Sequence, residues 1–203
     1  MSFSRRTLLS LPLAIPLGAL PALAADPGPA LIERFYAQLL AVMKEGKRLT
    51  FDQRFQRLAP AVAQTFDLGL MTRIAVGPGW TQIAADQQQR LAGAFTRYTI
   101  SNYARRFDDW GGERFEVSPT TTANANGVIV DSRIIKSNGE PVTLKYLMHQ
   151  DGAGAWKVMD VYLSGTVSEL AARRSEFASV LQRSGADGLV RMIDEKTAAL
   201  RSG

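Results

Sequence analysis

Residues 128–163 read VIVDSRIIKSNGEPVTLKYLMHQDGAGAWKVMDVYL, and the spacing of the apolar side chains in this stretch decides the fold. Val128, Val130 and Ile134 mark one strand, and Val142, Leu144, Tyr146 and Met148 mark the next. In the last run Lys157, Met159, Val161 and Leu163 alternate with Trp156, Val158 and Tyr162. A period of two sends successive side chains to opposite faces of a pleated strand. Ser137-Asn138-Gly139 and Asp151-Gly152-Ala153-Gly154 separate the runs, and these residues supply the backbone conformations that tight hairpins need. Phe115 and Val117, after Gly112, add a short strand upstream. The stretch therefore predicts an antiparallel meander of about four strands.

On both sides of it the apolar period becomes helical. Ile32, Phe35, Tyr36, Leu39 and Met43 form one stripe between Pro29 and Gly46, where a stop is expected. Thr50 and Gln53 have the spacing of a capping box for a second helix through Phe55 and Leu58, and Pro60 suits the first turn of another. Leu68 to Val76 reads as a short apolar helix ended by Gly77-Pro78-Gly79. From Asp86, residues Leu91, Phe95, Tyr98, Ile100, Tyr103 and Phe107 give a long helix expected to end near Asp109. Helix returns from Val167, carries Leu170, Phe177, Val180 and Leu181, breaks at Gly185, and resumes with Leu189, Met192 and Ile193. The expected class is α+β: N-terminal helices, a curved antiparallel sheet, then C-terminal helices, all helices packing on one face.

At the N-terminus Arg5 and Arg6 precede the almost uncharged run Leu8–Leu20. Pro12, Pro16 and Gly18 interrupt that run, and a spanning helix needs about 20 apolar residues, so it is too short and too broken to cross a bilayer. Ala22-Leu23-Ala24 has the small-x-small pattern of a cleavage site. Residues 1–24 are expected to be a cleaved signal peptide, leaving 25–203 as one exported domain. Ser4-Arg5-Arg6-Thr7-Leu8-Leu9 also fits a twin-arginine signal. The formal net charge of +5 falls by two with Arg5 and Arg6, too mild a balance for nucleic-acid binding. With no Cys in the chain, disulfides and thiol chemistry are excluded.

Chemistry is sparse. His149 is the single histidine, and no carboxylates cluster at ligand spacing, so no metal site is expected and no cofactor is implied. Gly77-Pro78-Gly79 lacks the Lys-Ser/Thr of a phosphate loop. Asp160 alternates with apolar neighbours and invites two readings. Buried against apolar walls it would be a proton-transfer base; alternatively it accepts hydrogen bonds from backbone or from an Arg such as Arg174. The apolar inventory says more. Phe66, Met71, Ile74, Phe95, Tyr98, Tyr103, Phe107, Tyr146 and Met148 exceed what a few helices need to cover one sheet. Together with Val161 and Leu163 they are candidate walls of a pocket, although stripes of this kind are more often filled core than ligand box.

Two stretches carry a family resemblance. Trp156-Lys157-Val158-Met159-Asp160-Val161 leads through Gly165 and Val167-Ser168 to Arg174-Ser175-Glu176-Phe177 and Gly185-Ala186-Asp187-Gly188-Leu189. Upstream stand Phe66-Asp67, Met71, Arg73, Gly77, Trp80, Gln87-Gln88, Phe95, Tyr103 and Gly112-Glu113 before Phe115. The ordered set, over nearly the whole mature chain, resembles the MlaC-type, toluene-tolerance family of periplasmic phospholipid-binding proteins. Thr166 is one residue more than the family pattern, and Arg173 stands where Tyr is common. Those departures resemble the branch associated with hopanoid biosynthesis. The resemblance implies a non-enzymatic periplasmic lipid carrier serving outer-membrane lipid asymmetry, with phospholipid or a polycyclic, hopanoid-type lipid as cargo. It also implies two partners, an inner-membrane ABC-type lipid complex and an outer-membrane lipoprotein complex. A carrier of this kind is expected to hold a pocket at the upper end of 300–1,000 Å³, between the concave sheet and the long helix, with loose head-group contact at its mouth. The competing expectation is a small enzyme acting on a hydrophobic substrate with Asp160 as base.

Overall fold

The computed structural model describes residues 27–202; the signal-peptide expectation for 1–24 lies outside them. Five helices and five strands follow in the order α1 (Pro27–Glu45), α2 (Phe51–Thr65), α3 (Leu68–Val76), α4 (Ala85–Arg106), β1 (Arg114–Asn124), β2 (Gly127–Ile135), β3 (Pro141–Gln150), β4 (Trp156–Leu163), β5 (Val167–Ser168) and α5 (Glu169–Ser202). The class is α+β, as the periodicity predicts.

The strands pair antiparallel in chain order, so the sheet is an open meander. It has five strands where four are expected. Val167 and Ser168, expected to begin the last helix, instead pair with Leu163 and Tyr162 before α5 starts. Irregularities between Val117 and Thr121 and between Leu147 and Met148 bend the ladder. At the hairpin between β3 and β4 Asp151 accepts from the amides of Ala153 and Ala155, both at 2.9 Å.

The helical stripe of α1 buries Ile32, Phe35, Tyr36, Leu39, Val42 and Met43 against the sheet. Tyr36 Oη lies 2.7 Å from Ser132 Oγ, which donates in turn to the Leu144 carbonyl at 3.2 Å, so the polar end of a buried ring is satisfied inside the sheet. The Thr50–Gln53 capping box forms as its spacing predicts. Pro60 does not start a new helix; it sits inside α2. Pro60 and Gln56 are both on the solvent side, so water can satisfy the carbonyl that the missing amide leaves free. Helix α4 stops at Arg106, three residues before the expected end, with the Phe107 amide donating to the Tyr103 carbonyl. In α5 the break at Gly185 is a kink, φ 65° and ψ −173°, within an otherwise continuous helix. A side chain would strain this left-handed backbone.

Arg54 is the buried cation of the helical layer, at 7% exposure. Its Nε donates to the Ala104 carbonyl at 2.8 Å and a terminal nitrogen donates to the Leu49 carbonyl at 2.6 Å, tying α2 to the last turn of α4. Arg54→Met should leave both carbonyls buried without donors and lower stability by about 3 kcal/mol. The surface pair Arg57–Glu45, cut by Arg57→Met, should cost less than about 1 kcal/mol. Urea unfolding of the two variants, compared by midpoint at equal slope, checks the difference.

Candidate functional site

Helix α4 packs against α2, α3 and α5 and does not seat on the sheet. The gap between α4 and the strands is an apolar hollow of ≈ 190 Å³. The helix contributes Phe95 and Tyr103 to it, followed by Phe107 just past its end. Phe66, at the junction of α2 and α3, and Met71 close one side. From the strands come Tyr146, Val161 and Leu163, which are register neighbours: Tyr146 opposes Val161 and Leu144 opposes Leu163. The aromatic rings meet edge to face: Tyr103 lies 5.1 Å from Phe35 at 89°, and Phe35 lies 5.2 Å from Phe66 at 81°.

Three expected wall residues lie elsewhere. Met148 is fully buried beside Val158, where Phe66 bridges to the sheet and the layers close, so it is filled core. Ile74 is half-buried on α3 outside the hollow, and its carbonyl accepts from Arg174 Nε at 3.2 Å. Tyr98 is turned toward α5, where its hydroxyl accepts from Arg173 at 2.9 Å and its ring lies under the guanidinium at 4.9 Å. Ile134, Val142, Leu144 and Leu170 also line the hollow. The alternation that picks out Tyr146 puts Val142 and Leu144 on the same face, so those two were within reach of the pattern. The volume is below the expected range. A cavity of about 150 Å³ suits a molecule the size of benzene.

The hollow turns polar toward its mouth. Thr99, Asn102 and Arg106 follow Phe95 along one face of α4, and Glu169 and Arg173 face them from the start of α5. Phe95 is buried, Thr99 and Asn102 are partly exposed and Arg106 is exposed, so the helix runs from the closed end to solvent. Arg173 is spent on Glu169 at 3.0 Å and on Tyr98. Burial alone would raise the Tyr98 phenol, but the charge and hydrogen bond of Arg173, with Asn102 and Lys196, outweigh it and hold the group below its usual value.

The two groups that could do chemistry have other employment. Asp160 is 7% exposed and accepts from Ser168 Oγ at 2.5 Å and from the amides of Val161 and Leu170 at 2.8 and 3.3 Å. Arg174 is not among its partners, since it serves Ile74. His149 Nε2 lies 3.1 Å from Asp67 Oδ2, while the other oxygen of Asp67 caps α3 through the Leu70 amide at 2.9 Å. Both carboxylates fasten a helix start to the sheet. Among the described residues no three His, Asp or Glu side chains gather to hold a metal ion. Asp160→Ala should therefore cost about 3 kcal/mol, for a charged acceptor lost from three donors. Asp160→Asn, which keeps one acceptor oxygen, should cost less; the urea midpoints of the two variants check the order.

Burial pushes the phenols of Tyr36, Tyr103 and Tyr146 above their usual value. A raised folded-state value stabilises the fold fully below the unfolded value of about 10, and that contribution is lost as pH rises beyond it. In an alkaline titration these three rings should ionise, by ultraviolet absorbance, only together with the loss of the circular dichroism signal. Ionisation of all tyrosines with the spectrum intact would contradict their burial.

The geometry defines a class: an α+β binding protein whose helices and sheet enclose an open apolar hollow. Residues 33–195 match the model of the MlaC protein family. The chain belongs to that family. Among solved structures, a phospholipid-binding protein from Ralstonia solanacearum, determined in complex with a phospholipid, is similar at 29% identity and a TM-score of 0.74. The match covers 86% of this chain and 99% of that one. No curated protein matches significantly.

Proposed function

We propose that the chain is a periplasmic lipid carrier: after cleavage behind Ala24, residues 25–203 act as one domain that shelters acyl chains and shuttles a lipid between membranes. The inner-membrane partner is an ABC-type lipid complex and the outer-membrane partner a lipoprotein complex. The observation that carries this reading is the apolar hollow beneath α4, open at a mouth that holds Arg106, Glu169 and Arg173. Family membership and the phospholipid in the Ralstonia relative support phospholipid as cargo ahead of a hopanoid-type lipid.

Leaving a diacyl lipid with about 30 chain methylenes in water costs on the order of 24 kcal/mol, at about 0.8 kcal/mol each. A hollow about as apolar as the bilayer makes transfer from membrane to protein nearly neutral, and the exchange then runs in either direction. No bond is made or broken. At ≈ 190 Å³ the hollow takes only part of one chain, so loading two chains requires the walls to part. The seam that opens is the one between α4 and the strands, where few packing contacts have to break.

Protein purified without detergent should yield about one lipid per chain on extraction and mass spectrometry. Tyr103→Asp, placing a charge between Phe35, Phe66 and Phe107, should abolish retention with the circular dichroism spectrum intact. Leu163→Trp fills the same space without charge and should also reduce lipid content, which covers the case in which the aspartate variant does not fold. A lipid-free wild-type protein, or variants with unchanged lipid content, would overturn the carrier.

A further inference from the structure

The mouth of the hollow carries an unbalanced charge. Arg173 and Glu169 neutralise each other, whereas Arg106 makes no ion pair or hydrogen bond among the described residues. A basic residue in the last turn of a helix ordinarily answers the helix dipole. Arg105, exposed beside it in the same last turn, lies outside the hollow. Arg106 is the one that lines the hollow.

Below Arg106 the same helix face offers two more polar side chains. Thr99, Asn102 and Arg106 are spaced three and four residues apart, so they stack along one face and span about 10 Å from Thr99 to Arg106. Asn102 donates to the Tyr98 carbonyl at 2.9 Å and its side chain also bears on the Tyr98 phenol. No hydrogen bond of the Thr99 side chain is found among the described residues. Across the mouth the start of α5 offers little competition as an anion receptor. The Leu170 amide is taken by Asp160 and the Ala171 amide by Ser168.

We propose that this face of α4 is a head-group site for a phosphate ester: Arg106 receives the phosphate at the mouth, and Thr99 donates to an ester oxygen beneath it. The inference rests on the carrier function and deepens it, because it makes the protein select a glycerophospholipid over a neutral lipid of equal apolar bulk. The guanidinium offers two parallel donors to phosphate oxygens. Its exposed position keeps the grip weak enough for release.

The test loads the full mature protein, stripped of lipid, with an equimolar mixture of phosphatidylglycerol and diacylglycerol bearing identical chains, and reads the bound ratio by native mass spectrometry. Wild type should favour the phospholipid by about tenfold, and Arg106→Gln should bring the ratio close to one. Arg106→Lys should recover part of the preference, since charge survives without the fork. Arg105→Gln, on the same turn but outside the hollow, should keep the wild-type ratio. Equal loading by wild type, or an unchanged ratio in Arg106→Gln, overturns the head-group site while leaving the carrier intact. Failure to load either lipid overturns both. Inorganic phosphate, titrated calorimetrically into the lipid-free protein, should show no saturable binding; saturable binding lost in Arg106→Gln, with the lipid ratio unmoved, would reassign the site to free phosphate.

Discussion

Everything at this site depends on how α4 is suspended. The helix is held from behind and from its ends by other helices and is not seated on the strands it faces. Arg54 grips the carbonyl of Ala104 near its C-terminus, Phe177 packs edge-on against Phe95 at 6.4 Å, and Asp194 pairs with Arg97 at 2.8 Å along its flank. The buried guanidinium matters most, since an exposed pair such as Arg97–Asp194 contributes little by itself. Part of the apolar surface on the sheet-facing side of α4 then meets the strands only across the hollow. In most α+β proteins that surface is buried by direct packing; in this chain it becomes a wall.

Helix α5 completes the suspension. Its first turn is fixed to the sheet by Asp160, which gathers the Ser168 hydroxyl and the Leu170 amide, while its body runs along α4. The short strand β5 exists for the same reason: Val167 and Ser168 must pair with β4 for the Ser168 hydroxyl to reach Asp160. One end of α5 is therefore bound to the strands and the rest to the opposite wall of the hollow. The kink at Gly185 falls beyond Phe177, so the two halves of α5 approach α4 in different directions. A carboxylate that might have served as a base is consumed in holding these layers at their separation.

Much of this was legible in the residues. Strict alternation over three runs, broken by Asn-Gly and Asp-Gly steps, leaves an antiparallel meander as the simplest solution, and Tyr103, Phe107, Tyr146, Val161 and Leu163 line the hollow from the elements the periodicity assigns them. What escaped did so for physical reasons. A two-residue strand has no period, so β5 cannot be read from alternation. Met148 shares a face with Tyr146, but the layers converge before its position, and convergence is a property of three dimensions. Tyr98 has the same spacing logic as Tyr103 yet turns to Arg173, a partner 75 residues away. Thr99, Asn102 and Arg106 were hidden for the opposite reason. On an amphipathic helix polar residues read as the solvent face, and nothing in their spacing tells a charged rim from ordinary surface.

The gradient along α4 then gives physical sense to the proposed container. Its buried end offers only aromatic and aliphatic contacts, which hold any hydrocarbon with nearly the same strength and cannot tell one apolar molecule from another. Discrimination must come from groups that a wrong cargo would leave unpaired, and such groups are costly when deeply buried. Placing them at the mouth, where water still reaches Arg106, keeps that cost low in the empty protein and in the loaded one. In the proposed carrier, affinity comes from the depth of the hollow and selectivity from its rim, and neither needs to be strong enough to oppose delivery to a membrane that offers a lipid an equally apolar environment.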